Sequence, residues 1–198
     1  MKKLVVGVIV LLLLSACGGG ETGSNSGPIQ QPNGAQQPKN QAGFSDDQLV
    51  PSTTTSEGDF ALKLVTNKLR YQVDEQLQVY AELVYNGEQE VKEIGHAMYP
   101  VGFNLIEHTR DVELQGVMEE PYVVTPLYRE EPVRYDYSVS GGLSGQEDAD
   151  KKAFAKALME GQLPEGRYTI TARASFVING SDPIEQYNMN TAIHFVVE

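Results

Sequence analysis

The chain has 198 residues, with 27 acidic against 15 basic side chains and a formal net charge of −12 at neutral pH. That balance excludes nucleic acid as a partner, because binding it relies on Lys and Arg neutralising phosphate. Its one cysteine, Cys17, excludes an intramolecular disulfide framework and a multi-cysteine metal site.

The first element is the basic pair Lys2-Lys3, an apolar run over residues 4–14 and the tetrapeptide Leu14-Ser15-Ala16-Cys17. A basic stretch, an apolar stretch of about 7–15 residues and a small-residue cleavage site make a secretory signal. The run is too short to span a bilayer, which takes about 20 apolar residues, and Gly18-Gly19-Gly20 continue no helix. With a cysteine directly after the small residues, the segment resembles a bacterial lipoprotein signal. The resemblance implies that residues 1–16 are removed as a signal peptide and that Cys17 is lipidated, carrying diacylglycerol and an N-linked acyl chain of the palmitate type. One acyl chain anchors marginally, whereas two or three hold a protein stably. The expected location is therefore the extracytoplasmic face of the bacterial cell membrane, or the outer membrane in a cell that has one.

Residues 17–58 are rich in Gly, Ser, Gln, Asn and Pro, with few apolar side chains. Such a segment buries too little apolar surface to offset its conformational entropy, so a disordered tether is expected there. About 40 flexible residues have a reach of roughly 35 Å.

From Phe60 onward the hydrophobic period is two, the mark of half-buried strands. Phe60, Leu62 and Leu64 form one run, and Leu77, Val79, Ala81, Leu83 and Tyr85 a second, followed by Asn86-Gly87, a two-residue hairpin signal. Val101, Phe103 and Leu105 predict a strand, with Val112 and Leu114 after a turn at Arg110-Asp111. Val133, Tyr135, Tyr137 and Val139 predict another, ending at Gly141-Gly142. Residues 168–178 hold the longest alternation, closed by Asn179-Gly180, and Ile193, Phe195 and Val197 make the last strand. One short helix interrupts the pattern. Glu147, Asp148 and Asp150 precede Lys151, Lys152 and Lys156, the charge order that suits a helix dipole, with Phe154 and Leu158 on one face and Gly161 as its stop.

Seven or more short strands with turns between them predict an all-β fold, an antiparallel sandwich over residues 59–198. The stretch Leu163-Pro164-Glu165-Gly166-Arg167-Tyr168 resembles the corner of immunoglobulin-like (Ig-like) domains, where a tyrosine near a strand start bonds back to the backbone upstream. It makes Tyr168 the candidate corner residue and the preceding helix a crossover between sheets. Phe60–Tyr85 and Leu163–Ala172 also resemble the strand-turn-strand entry and the late proline-glycine-tyrosine strand of the BsuPI-type family, named after an intracellular proteinase inhibitor. That resemblance implies a β-sandwich and, as an alternative function, proteinase inhibition.

No motif points to catalysis. Gly142-Leu143-Ser144-Gly145 lacks the spacing of a nucleophile elbow, and the acidic groups Glu119-Glu120, Glu130-Glu131 and Glu147-Asp148-Asp150 match no calcium loop. Neither an enzyme nor a cofactor is expected. His96 and Met98 on one extended face, with His108 and His194 on other strands, supply imidazole and thioether of the kind that suits copper, which makes a metal-binding lipoprotein a further alternative. Between Glu119 and Tyr137 lie Pro121, Pro126 and Pro132, which keep the chain out of central strands, and Tyr122, Tyr128, Tyr135 and Tyr137. Tyrosine is favoured where one end is buried and the other meets a partner. The expected role is thus a non-enzymatic module that binds or modulates an envelope or extracellular protein, with these four tyrosines as its surface.

Overall fold

Burial alternates residue by residue along the predicted strands, and that alternation builds two facing sheets. The structure, a computed structural model, describes residues 43–116, 121–139 and 148–198. The signal segment, Cys17, the tether as far as residue 42, Glu119-Glu120 and the glycine-rich stretch through Glu147 lie outside the described residues.

In chain order the strands are β1 (Ser52–Glu57), β2 (Phe60–Thr66), β3 (Arg70–Tyr71), β4 (Val79–Tyr85), β5 (Val91–His96), β6 (Val101–Glu107), β7 (Val112–Gln115), β8 (Val123–Tyr128) and β9 (Val133–Asp136). The helix α1 (Ala149–Met159) follows, then β10 (Gly166–Ile178) and β11 (Gln186–Val197). The first sheet has the order β1-β2-β4-β9. The second runs β3-β11-β10, then β5 and β6 end to end along β10, then β8 on β5 and β7 on β6. β5 and β6 are one strand broken at residues 97–100, since β10 pairs Val177 with Gly95 and Ala174 with Val101. All pairs are antiparallel except the short β3–β11 contact.

This is the all-β sandwich expected from the strand pattern, with a 4-stranded sheet facing a 7-stranded one. The helix connects β9 of the first sheet to β10 of the second, as a crossover. Asp148 caps it, its carboxylate accepting from the Lys151 backbone N–H at 2.9 Å, which satisfies one of the donors a helix start leaves open. Phe154, Ala155 and Leu158 are its buried face. The corner also forms: the Tyr168 hydroxyl donates to the Pro164 carbonyl at 2.6 Å, and its ring stacks on Phe195 at 5.2 Å.

The core lies between the sheets. Leu62, Leu64, Ala81, Leu83 and Tyr85 of the first sheet meet Ile94, Leu105, Ile170, Ala172, Ile193 and Phe195 of the second. Full burial of each large side chain contributes about 1.5–3 kcal/mol. Phe60 packs against Tyr85, Phe176 and Tyr187 within 5.3 Å and so closes one end.

Two expectations are corrected. Asn86-Gly87 makes no hairpin: β4 and β5 belong to different sheets, so the turn carries the chain across the sandwich. Folded chain also begins before residue 59. β1 lies within the expected tether and pairs with β2 at six positions from Ser52–Val65 to Glu57–Phe60, and Phe44 is buried. β1 is a Ser/Thr edge strand, so its stability comes from hydrogen bonds rather than apolar area. Thr53 Oγ1 donates to the Ala192 carbonyl at 2.8 Å and Thr55 Oγ1 to Asn190 at 2.9 Å, tying the edge of one sheet to β11 of the other.

Candidate functional site

The four sequence-predicted tyrosines divide into two pairs. Tyr122 and Tyr128 are 63% and 49% exposed, whereas Tyr135 and Tyr137 are half-buried and packed against the core. Burial pushes the Tyr135 phenol up to about 12 and the Tyr137 phenol higher still, and Tyr137 meets Phe103 edge-on at 5.6 Å. Tyr135 and Tyr137 therefore belong to the fold.

Tyr128 owes its exposure to the alternation of β8, and Tyr122 lies just before that strand. Leu127 points inward and is fully buried, and Val124, Pro126 and Tyr128 point outward and are exposed. β8 ends the β5 side of the second sheet, which is where a strand proline is tolerated. Its missing N–H also blunts the edge against strand addition, so recognition here uses the face. Opposite this stripe, β5 supplies Val91 across from Tyr128 and Gly95 across from Val124. Gly95 matters for space: a Cβ there would run into the Tyr122 phenol, which lies over it. The result is an outward strip of Tyr122, Val124, Pro126, Tyr128 and Val91. At the Tyr128 end it is flanked by the exposed carboxylates Glu88, Glu90, Glu130 and Glu131. Arg129 at this end is turned back, its guanidinium donating to the Glu88 carbonyl at 3.2 Å.

The histidines separate differently. His96 is buried, with Nδ1 against the Ala97 carbonyl and Nε2 2.8 Å from Thr125 Oγ1. Both of its ring nitrogens are thus engaged, and Met98 beside it is exposed. At the other end of β10, His108 and His194 meet over Thr169, whose hydroxyl lies 2.7 Å from His108 Nε2 and 2.8 Å from His194 Nδ1. Among the described residues no three His, Cys, Asp or Glu side chains are grouped to hold a metal. The copper reading gains no support from this geometry.

The His108–Thr169–His194 row is covered by residues that the sequence reading placed in the tether. Phe44 stacks on His194 at 4.6 Å and meets His108 edge-on at 5.7 Å. Arg167 lies over the other side of the Phe44 ring at 4.3 Å, a contact contributing about 0.5–1 kcal/mol. The same guanidinium donates to the Phe44 carbonyl at 2.5 Å and pairs with Asp46 at 3.2 Å. Its Nε is buried without a partner, which costs about 1–3 kcal/mol. Burial lowers the pKa of both His108 and His194; for His108 the carboxylates of Glu107 and Asp111 pull upward against Arg167, whereas for His194 the charge of His108 and then that of Arg167 press it further down.

Glu107 was also missed. Its carboxylate is fully buried and accepts from the backbone N–H groups of Thr109 at 2.7 Å and Arg110 at 2.8 Å. It sets the turn between β6 and β7, which in turn aims His108. Parity along the strands is the one sequence signal for this group: His108, Thr169 and His194 all fall opposite the core-facing residues.

A cavity of about 220 Å³ opens near α1, floored by Leu77, Leu105, Tyr137, Leu158 and Leu163. It is smaller than ordinary ligand pockets of about 300–1,000 Å³. Compared with known proteins, the chain matches no family model and no curated protein.

Proposed function

We propose that this chain is a lipid-anchored extracytoplasmic binding module, held by Cys17 and presenting the outward face of β8 to another envelope or extracellular protein. The observation that carries the binding half is the exposed strip of Tyr122, Val124, Pro126 and Tyr128 on a sheet edge. Tyrosines are enriched at interfaces because they offer large area and a polar tip at small conformational cost. The acidic flank at Glu88, Glu90, Glu130 and Glu131 favours a partner segment that is basic as well as apolar, since complementary charge steers association and rejects wrong partners. The anchoring half is supported by Leu14-Ser15-Ala16-Cys17 after a basic, apolar leader.

A second reading, proteinase inhibition, is favoured by one loop. Between β10 and β11, Ile184 is 77% exposed, and the loop is braced by Glu185 N–H to Ser181 Oγ at 2.9 Å and Asn179 Nδ2 to Glu93 at 3.0 Å.

One experiment tests the main reading in both halves. The native chain, Cys17→Ser and Tyr122→Ala/Tyr128→Ala are each expressed in the parent cell, fractionated, cross-linked and recovered. Cys17→Ser leaves the membrane fraction or stays unprocessed, whereas the tyrosine variant stays in the membrane and loses a cross-linked protein that the native chain holds. Processed, membrane-bound Cys17→Ser refutes the anchor, and an undiminished adduct with the tyrosine variant refutes the binding face.

A further inference from the structure

We propose that residues 43–49 form an acid-released latch, docked on the outer face of the second sheet while His108 and His194 are neutral and freed when both take up protons. The latch is built as a clamp on one ring: Phe44 is 5% exposed, between His194, His108 and Arg167. Gly43 allows the approach, since it holds φ +99° and a Cβ there would collide with the His108 ring. No other side chain of the segment is buried, and Ser45 through Gln48 make one exposed 3₁₀ turn. Docking of the segment therefore centres on the Phe44 ring and the salt bridges of Asp46.

The chemistry of Thr169 ties that clamp to protonation. Its hydroxyl carries one proton and sits between two ring nitrogens at 2.7 and 2.8 Å. It donates to one ring and accepts from the other, so one imidazole must be an acceptor, and only a neutral ring accepts. Two imidazolium rings would both be donors and leave the hydroxyl proton unpaired. They would also place two positive charges beside Arg167, at partly buried positions where charge is poorly solvated.

The acids that face the cluster are already committed. Glu107, from β6, accepts from Thr109 and Arg110 and pairs with the Arg110 side chain at 3.4 Å. Asp46, from the latch, is shared by Arg167 and by Arg70 of β3. Asp111, from the turn, is almost fully exposed and pairs with Lys151. Glu198, after β11, pairs with Arg70. Glu107 and Asp111 favour a proton on His108 through space, but burial outweighs them, and the hydrogen-bond partner of both rings is the Thr169 hydroxyl rather than a carboxylate. Phe44 covers both rings, and burial is the first cause that holds them below their ordinary value of about 6.5, so the contribution of docking is complete above that value. It is lost as the pH falls through the depressed values. On the anchored reading, release lets residues 44–51 extend by up to roughly 25 Å, letting the sandwich sit further from the membrane.

The test uses the full chain in detergent with Phe44→Trp, which becomes the sole tryptophan. Between pH 8 and pH 5 its emission shifts to the red while the far-ultraviolet β signal is unchanged, and His108→Gln/His194→Gln removes the shift. Hydrogen exchange on the unsubstituted chain, corrected for the intrinsic effect of pH, reports faster exchange confined to residues 44–49 at pH 5. Emission that does not move, a shift that coincides with loss of the β signal, a shift that survives in the double glutamine variant, or no gain in exchange overturns the latch. None of these readouts depends on Cys17 or on the β8 face, so failure of the latch is distinguishable from failure of the anchored binding module.

Discussion

Tyr168 shows how one hydroxyl can hold a topology. It starts β10 where the crossover from the first sheet ends, and its bond to Pro164 closes that corner at 2.6 Å. Burial, and after it the nearby Glu107, raises its phenol well above the ordinary range, so it stays protonated and donating at any physiological pH. Tyr168→Phe keeps the stacking on Phe195 and deprives the Pro164 carbonyl of this donor. The expected loss is about 1–3 kcal/mol, seen as a lower urea midpoint with an unchanged slope. An unchanged midpoint would show that water replaces the hydroxyl. This residue was legible in the sequence because Pro-x-Gly-x-Tyr before a strand has a local meaning. Thr169, the next residue, was not: its importance comes from His108 and His194, each brought to it by a different strand pairing.

At the scale of elements, the sequence was readable wherever apolar side chains alternate. β2, β4, β6, β7, β9, β10, β11 and α1 all carry inward rows of Leu, Val, Ile, Phe or Tyr. The elements that escaped lack such rows. β1 is held by threonine hydroxyls, β3 has two residues, and β5 and β8 lie side by side, β8 at the sheet edge with a proline in it. Asn86-Gly87 misled for another reason: turn chemistry is local, whereas the choice between a hairpin and a crossing depends on which sheet needs the next strand. A truncation series tests the revised boundary. Removing residues 18–42 leaves the thermal midpoint of the sandwich in place. Removing residues 18–57 takes away Phe44 and β1 and lowers stability by about 1.5–3 kcal/mol from the Phe44 ring alone. Equal midpoints for the two truncations would return residues 43–57 to the tether.

On the scale of the whole molecule, the outer face of the second sheet concentrates what the inner core does not explain. One end of it is covered by Phe44, and the other exposes Tyr122, Val124 and Tyr128. Val73 and Met159 are exposed as single side chains, which is normal on a protein surface. The strongly acidic chain repels anionic headgroups, which under the proposed lipid anchor would hold the sandwich off the membrane surface. Half of the candidate surface was visible in the sequence as proline-spaced tyrosines. The other half was not, because the inward turn of Tyr135 and Tyr137 depends on where β9 joins the first sheet. The most direct test of the binding account is site-specific photo-crosslinking in intact cells. A photoreactive side chain is placed at Val124 on the β8 strip or, as control, at Lys63 on the outer face of β2. The account predicts a single reproducible protein adduct from position 124, lost with Tyr122→Ala/Tyr128→Ala, and none from position 63. No adduct from position 124, or the same adducts from both positions, would contradict it.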